Sequence, residues 1–299
     1  MNIGVDICGI HFKSPVIAAS GTFGFGKEFA DYIDLDKLGG ICSKGLTLNK
    51  NLGNAGIRIH ETPSGIMNSI GLQNPGIEYF VNEELPFLLS KDTVTIANLG
   101  GHSVEDYVKG ASILDKTDVP MIELNISCPN VKEGGMAFGT YPTKASEVIS
   151  KVRKETKKPL IVKLSPNVGS IPTFAKLAED NGADAISLVN TFNAMAVDIN
   201  TKAPVFINKT AGLSGPAIKP IALRMVYEAA HAVDIPVIGM GGIMNYKDAL
   251  EFIMAGASAI QVGTANFVDY NTMLDVAVGI RKYLEENNIE DIKEIIGII

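Results

Sequence analysis

Short apolar runs rich in valine and isoleucine recur along the chain, separated by longer stretches in which apolar residues return with helical period. The runs are Pro15 to Ser20, Gly39 to Gly45, Thr93 to Gly100, Met121 to Ser127, Leu160 to Ser165, Ala185 to Asn190, Pro236 to Gly242 and Ala259 to Thr264. Continuous apolar runs of this length mark strands buried on both faces, and the amphipathic segments between them mark the crossover helices that cover them. Helix starts are signalled by Ser103 before VEDYVKGASIL, Thr143 before KASEVISKVRKE and Asn245 before YKDALEFIMAG, side chains that accept hydrogen bonds from free N–H groups of a first turn. The alternation predicts an α/β fold, a (β/α)8 TIM barrel. An open doubly wound sheet would also alternate, but no GxGxxG follows the first strand and the glycine-rich turns fall late.

Ahead of the first run, IGVDICGIHF predicts a β-hairpin turning near Cys8 and Gly9, placed to plug the barrel floor. Two connections are long, Leu46 to Glu78 after the second strand and Thr191 to Lys219 after the sixth, and long loops in a compact fold usually carry function. With no internal repeat or low-complexity segment, residues 1–299 read as one barrel domain with elaborated loops at its C-terminal face.

Charge narrows the function. With 26 Lys+Arg against 33 Asp+Glu the net charge is −7, which argues against a nucleic-acid partner or a polybasic membrane anchor. No run reaches the ~18 apolar residues of a membrane span. The first residues lack the pattern of a signal peptide, and the three cysteines, Cys8, Cys42 and Cys128, match neither a zinc site nor a disulfide framework. A cytoplasmic protein without a bound metal is expected.

In a barrel of this kind, chemistry gathers where strands run out into their following loops. Those ends offer Ser20, Lys44, Asn98, Asn125, Lys163, Asn190, Gly241 with Gly242, and Gly263 with Thr264. Two lysines entering one barrel mouth call for an anionic or electron-rich partner, although either one alone also reads as a solvated rim charge. The turns GMGGI and VGTANF place bare backbone N–H groups where barrels commonly bind phosphate; tight packing without a ligand is the plainer alternative. Cys8 and Cys42 sit in apolar sequence and read as buried small hydrophobes. Cys128, at a strand end beside Pro129, reads as a nucleophile or a general base. No histidine among His11, His60, His102 and His231 falls at a strand end to activate a nucleophile, so the base role fits better.

The segments NISCPNVKEGGMAFG, SKGLT, SGIMNSIGLQNPG, VKLSPNV, NTFNA, GLSGPAIKP, GMGGI and VGTANF closely resemble the catalytic subunits of class 1B dihydroorotate dehydrogenases, over nearly the whole chain. In that family a cysteine at the Cys128 position marks class 1, whereas the membrane-associated class 2 has serine there and a long N-terminal extension. IGLQNPG and GGMAFG look more like the NAD-linked 1B form than the fumarate-linked 1A form. The resemblance implies a flavin mononucleotide that oxidises (S)-dihydroorotate to orotate in pyrimidine synthesis.

By that resemblance Gly215, Gly241, Gly242, Gly263 and Thr264 would hold the flavin phosphate. Ser20, Lys44, Gly45, Asn98, Asn125, Lys163 and Val189 would line the ring and ribityl chain, with Lys163 near the ring position that becomes anionic on reduction. Asn68, Ser69, Ile70, Gly71, Leu72, Asn125, Asn190 and Thr191 would bind substrate, and Lys44 would touch both substrate and flavin. Cys128 would take the proton from C5 while hydride leaves C6. For the asparagines, turn or capping roles are the alternative. Class 1B further implies a homodimer joined by an electron-transfer subunit carrying FAD and a [2Fe-2S] cluster, in a heterotetramer that uses NAD. The apolar tail, Ile295 to Ile299, is expected to dock on the barrel or contact that subunit. Two other readings are a flavin-free phosphate-binding lyase using Lys44 or Lys163 as a Schiff-base amine, and a non-catalytic metabolite-binding barrel.

Overall fold

The structure is a computed structural model that describes residues 1–127 and 138–299. The chain opens with a hairpin of β1 (Val5–Ile7) and β2 (Ile10–Phe12), whose register pairs Val5 with Phe12 and Ile7 with Ile10. Cys8 and Gly9 both have positive φ, 52° and 79°, the conformation that a tight two-residue hairpin turn demands. The hairpin meets the strand-entry end of the barrel. Cys8 Sγ lies 3.3 Å from the carbonyl oxygen of Asp184, just before a barrel strand, and a Cβ at Gly40 would meet the Phe12 ring at 3.0 Å.

Eight parallel strands close the barrel: β3 (Val16–Ala18), β4 (Gly40–Cys42), β7 (Val94–Leu99), β8 (Met121–Asn125), β9 (Leu160–Lys163), β10 (Ala185–Leu188), β15 (Val237–Met240) and β16 (Ala259–Val262). Neighbours in the barrel follow chain order, and β16 pairs with β3 to close it. Each predicted run contains a barrel strand, but the ladders stop short of the runs' ends. Ser20, Lys44, Asn190 and Thr264 therefore lie in the loops beyond their strands, whereas Asn98, Asn125 and Lys163 lie within them.

Helices cover the outside, and their ends follow from local chemistry. Ser103 caps Val104–Asp115 by accepting from the Asp106 N–H, and Asn245 caps Tyr246–Met254 by accepting from Lys247 and Asp248. The expected cap at Thr143 is incorrect. That helix begins two residues earlier, at Pro142, with Tyr141 at the cap position, because proline fixes φ at a helical value and the first turn has no use for its missing N–H. The connection from β3 to β4 also departs from an ideal repeat: it holds only the short 3-10 turns Lys27–Phe29 and Leu35–Lys37.

The two long connections do not hang separately. Strands β5 (Ile59–Thr62) and β6 (Gly65–Asn68) from the first, with β11 (Phe192–Met195) and β14 (Thr210–Ser214) from the second, form a sheet in the order β11-β14-β6-β5. β12 (Val197–Asp198) and β13 (Ala203–Pro204), from the second connection, form a separate two-stranded ribbon. Pairing of Asn68 with Gly212 and of Asn193 with Gly212 fixes loops far apart in sequence against one another. At the other end, Ile292 and Ile295 are buried and the tail hydrogen-bonds back, Gly297 N–H to Ile253 and Ile299 N–H to Met254. The tail thus docks on the barrel, although Ile298 and Ile299 remain exposed. Among the described residues no helix is long and apolar enough to cross a membrane.

Candidate active site in the barrel mouth

A cavity of about 250 Å³ opens at the ends of the barrel strands, walled by strand-end loops and by the sheet built from the long connections. Its wall contains Ser20, Lys44, Gly45, Asn68 through Leu72, Asn125, Lys163, Val189, Asn190, Thr191, Gly215, Gly241, Gly242, Gly263 and Thr264. The residues singled out in sequence thus converge from separate strands on one space, with two exceptions. Cys128 lies outside the described residues. Asn98 is fully buried and off the wall; its Nδ2 donates to Glu123 Oε1 at 2.6 Å, and its Oδ1 would lie 3.0 Å from a Cβ at Gly45. It supports Gly45 from behind.

One end of the cavity is built from glycine turns. Gly215, Gly241 and Gly242 have φ of 101°, 126° and 77°, values that side-chain-bearing residues rarely adopt. A Cβ on Gly242 would stand 2.8 Å from the Gly215 carbonyl oxygen, so these two turns touch through their backbones. Gly263 differs: a Cβ there would find no protein atom nearer than Ala19 Cβ at 3.7 Å. A Cβ at 263 would make only ordinary contacts, and Gly263 lies on the cavity wall. Thr264 Oγ1 donates to Ser214 Oγ at 2.9 Å, tying the last strand's turn to β14.

The amide-rich wall is held by asparagines that sequence reading did not single out. Asn74, buried, donates to the Leu72 carbonyl at 2.7 Å and to Thr47 Oγ1 at 2.8 Å, and accepts from the N–H groups of Thr47 and Gly76. Asn54 donates to the Ser69 carbonyl at 3.1 Å, and Asn51 to the Gly71 carbonyl at 3.1 Å. Carbonyls of the NSIGL segment are thereby turned outward onto side chains. On the barrel side, Ser127 Oγ donates to Asn125 Oδ1 at 2.7 Å and accepts from Asn190 Nδ2, and Asn190 Oδ1 receives the Thr191 N–H at 2.8 Å. Asn125 and Asn190 do both: they shape turns and they face the cavity.

The two lysines differ in setting. Lys163 is almost wholly buried and its Nζ lies 3.6 Å from Glu123 Oε1. Glu123, with no exposed surface, was missed, although one acid inside the apolar run MIELNIS is itself a signal. Burial favours its neutral form. The Lys163 charge and hydrogen bonds from Gln261, Ser187 and Cys42 outweigh that and hold its carboxyl below the ordinary range. Cys42 is buried in the hydrophobic core, as its sequence implied, but it also meets this carboxylate. Its thiol lies 3.3 Å from Glu123 Oε1, and burial with that neighbouring charge pushes it well above the usual thiol range. Cys8, pushed up to about 11 by burial and the Asp184 charge, is likewise an unreactive thiol.

Lys44 makes no ion pair or hydrogen bond through its ammonium among the described residues, and burial, with the nearby Arg58 charge, lowers its affinity for a proton. While the amine is protonated, the folded chain bears the cost of burying its charge. As pH rises toward 10.5 the folded chain releases the proton first, so this cost fades. Lys44→Met should therefore stabilise the ligand-free chain at pH 7, and the gain should shrink by pH 10. Urea unfolding at the two pH values measures this, and a gain that grows with pH would contradict the sign.

The family model for dihydroorotate dehydrogenase matches residues 2–284. This chain belongs to the dihydroorotate dehydrogenase family. The catalytic subunit of dihydroorotate dehydrogenase B (NAD(+)) from Petrotoga mobilis is 60% identical over 295 residues, covering 99% of this chain and 98% of that one. The corresponding subunit from Thermoanaerobacter pseudethanolicus is 57% identical, over 99% of this chain and 98% of its own length. That from Bacteroides thetaiotaomicron is 54% identical, with the same two coverages. Among the described residues of this dihydroorotate dehydrogenase family member, the cavity wall contains no aspartate, glutamate or histidine. A base on that wall must come from an amine or from a residue outside them.

Proposed function

We propose that this chain oxidises (S)-dihydroorotate to orotate on a bound flavin mononucleotide in pyrimidine synthesis, as the NAD-linked catalytic subunit of a larger assembly. The observation that carries this reading is the division of one cavity: glycine turns at Gly215, Gly241, Gly242 and Gly263 at one end, and a cluster of amides with the cation Lys44, unpaired among the described residues, elsewhere on the wall. That donor set fits a phosphorylated flavin and a planar carboxylate together. When bound, the flavin supplies the two-electron acceptor for the substrate's hydride.

The protein's own residues then have distinct tasks. Backbone N–H groups at Gly215, Gly241, Gly242, Gly263 and Thr264 bind the phosphate without a paired cation; Lys219, close by in sequence, is engaged by Asp248 at 2.7 Å and Glu251 at 2.9 Å. Ser20, Gly45, Asn125 and Val189 line the flavin, and Asn98, whose Oδ1 has no hydrogen-bond partner among the described residues, meets it beside Gly45. Lys163 supplies positive charge beside it. Asn68, Ser69, Ile70, Gly71, Leu72, Asn125, Asn190 and Thr191 orient the pyrimidine through amide and backbone groups, and Lys44 meets its carboxylate and the flavin. Cys128 accepts the proton from C5.

The relatives' designation as catalytic subunits supports a partner subunit, and we assign it FAD and a [2Fe-2S] cluster that pass electrons to NAD. Two catalytic chains joined to two such subunits make the proposed heterotetramer. The test begins with the full chain alone. It should take up flavin mononucleotide, turn yellow, and bleach when dihydroorotate is added without oxygen. A colourless protein that takes up no flavin defeats the cofactor assignment; a yellow one that fails to bleach defeats the substrate assignment.

A further inference from the structure

We propose that Glu123 is a positioning residue for the reaction: its buried carboxylate keeps the Lys163 ammonium charged and held at the cavity wall. The two residues stand on adjacent strands, β8 and β9, whose register pairs Asn125 with Lys163 and Glu123 with Ile161. The carboxylate is surrounded by donors from other strands. Oε1 receives Asn98 Nδ2 at 2.6 Å from β7 and faces Cys42 Sγ at 3.3 Å from β4. Oε2 receives Ser187 Oγ at 2.8 Å from β10 and Gln261 Nε2 at 2.7 Å from β16. Four donors converging on one carboxylate stabilise its anion and leave it no reason to take a proton.

Lys163 complements this arrangement. Its Nζ lies 3.6 Å from Glu123 Oε1, in ion-pair contact but beyond a good hydrogen bond, and no hydrogen bond from Nζ is made among the described residues. Its N–H donors are thus left for whatever fills the cavity. The titratable groups around the pair are Cys42 and, on the same cavity wall, the cation Lys44; Asn98, Ser187 and Gln261 are neutral. Glu123 is therefore the one described anion that can balance Lys163. A buried ammonium deprived of its counter-ion is costlier to keep charged, and without that charge the cavity loses a fixed positive group.

The consequence for the flavin's redox behaviour rests on the function proposed above; the charge state of Lys163 does not. The first readout therefore uses the full chain without flavin. Reductive methylation with formaldehyde and cyanoborohydride at pH 7.5 modifies only unprotonated amines, and peptide mass spectrometry reports Lys163 with Lys44 as internal reference. Lys163 should react slowly in the wild type and at least about tenfold faster in Glu123→Gln, while Lys44 changes little. Glu123→Asp, which retains the charge, should restore the slow rate. Ser187→Ala removes one hydrogen bond to Glu123 away from the cavity wall and should raise the Lys163 rate severalfold; it carries the test if Glu123→Gln does not fold. An unchanged Lys163 rate in the folded variants overturns the proposal.

The second readout is the midpoint potential of bound flavin mononucleotide. In Glu123→Gln it should fall, because the charge that favours reduced flavin is lost; a rise would mean that Lys163 stays charged without Glu123, and would overturn the proposal. A wild-type chain that binds no flavin would defeat the cofactor assignment, whereas the methylation result would still decide the role of Glu123.

Discussion

Cys128→Ala should leave flavin mononucleotide bound and slow its reduction by dihydroorotate by about 10²–10⁴-fold, the usual contribution of a general base. The expectation rests on what the rest of the cavity offers. Its described wall has no carboxylate or imidazole, and Lys163 is committed to Glu123. Ser127, the residue before Cys128, is buried and hydrogen-bonded to both Asn125 and Asn190, which face the cavity. The chain is thus anchored at the cavity wall at the point where Cys128 follows. Anaerobic stopped-flow at the flavin absorbance measures the rate directly. The slowing should be larger at pH 7 than at pH 9.5, where solvent hydroxide substitutes in part for the missing base. If the rate is unchanged, the Lys44 amine is the remaining candidate, because burial and Arg58 already ease its loss of a proton.

How much of this arrangement could be read in the sequence depended on whether the signal was local. Barrel strands were legible because burial on both faces writes an uninterrupted apolar run, and Ser103 and Asn245 were legible as caps because capping acts over two or three residues. The glycine turns and both lysines could be placed because the fold carries strand ends to one face. Non-local pairing was hidden. Nothing in Gly65–Asn68 or Thr210–Ser214 announces that they pair across 144 residues, from Asn68 to Gly212. The partners of Glu123 come from five other strands, so the acid was visible as an anomaly in MIELNIS while its meaning was not. Asn98 shows a related limit. Alternation along a strand gives the face but not the depth, and within β7 it lies below the wall, bonded to Glu123.

Gly263→Val should abolish flavin binding while leaving the ligand-free fold nearly unchanged. A Cβ at this position meets only ordinary contacts, at 3.7 Å from Ala19 and 3.9 Å from Thr22, so the added side chain occupies cavity and not core. Backbone N–H groups bind a phosphate at hydrogen-bond distance, and two methyl groups interposed there deny that approach. The dissociation constant for flavin mononucleotide should rise at least about 100-fold, equivalent to about 2.7 kcal/mol. Gly242→Ala makes the control. There φ is 77° and the new Cβ would press within 2.8 Å of the Gly215 carbonyl oxygen and 2.9 Å of the Lys219 nitrogen. That substitution strains the fold itself, by about 1–3 kcal/mol, and should lower the melting temperature of the ligand-free chain as well as weaken flavin binding. Fluorescence titration with flavin, set beside melting curves of the ligand-free chains, separates the two effects. Wild-type affinity in Gly263→Val would remove the turn after β16 from the phosphate site.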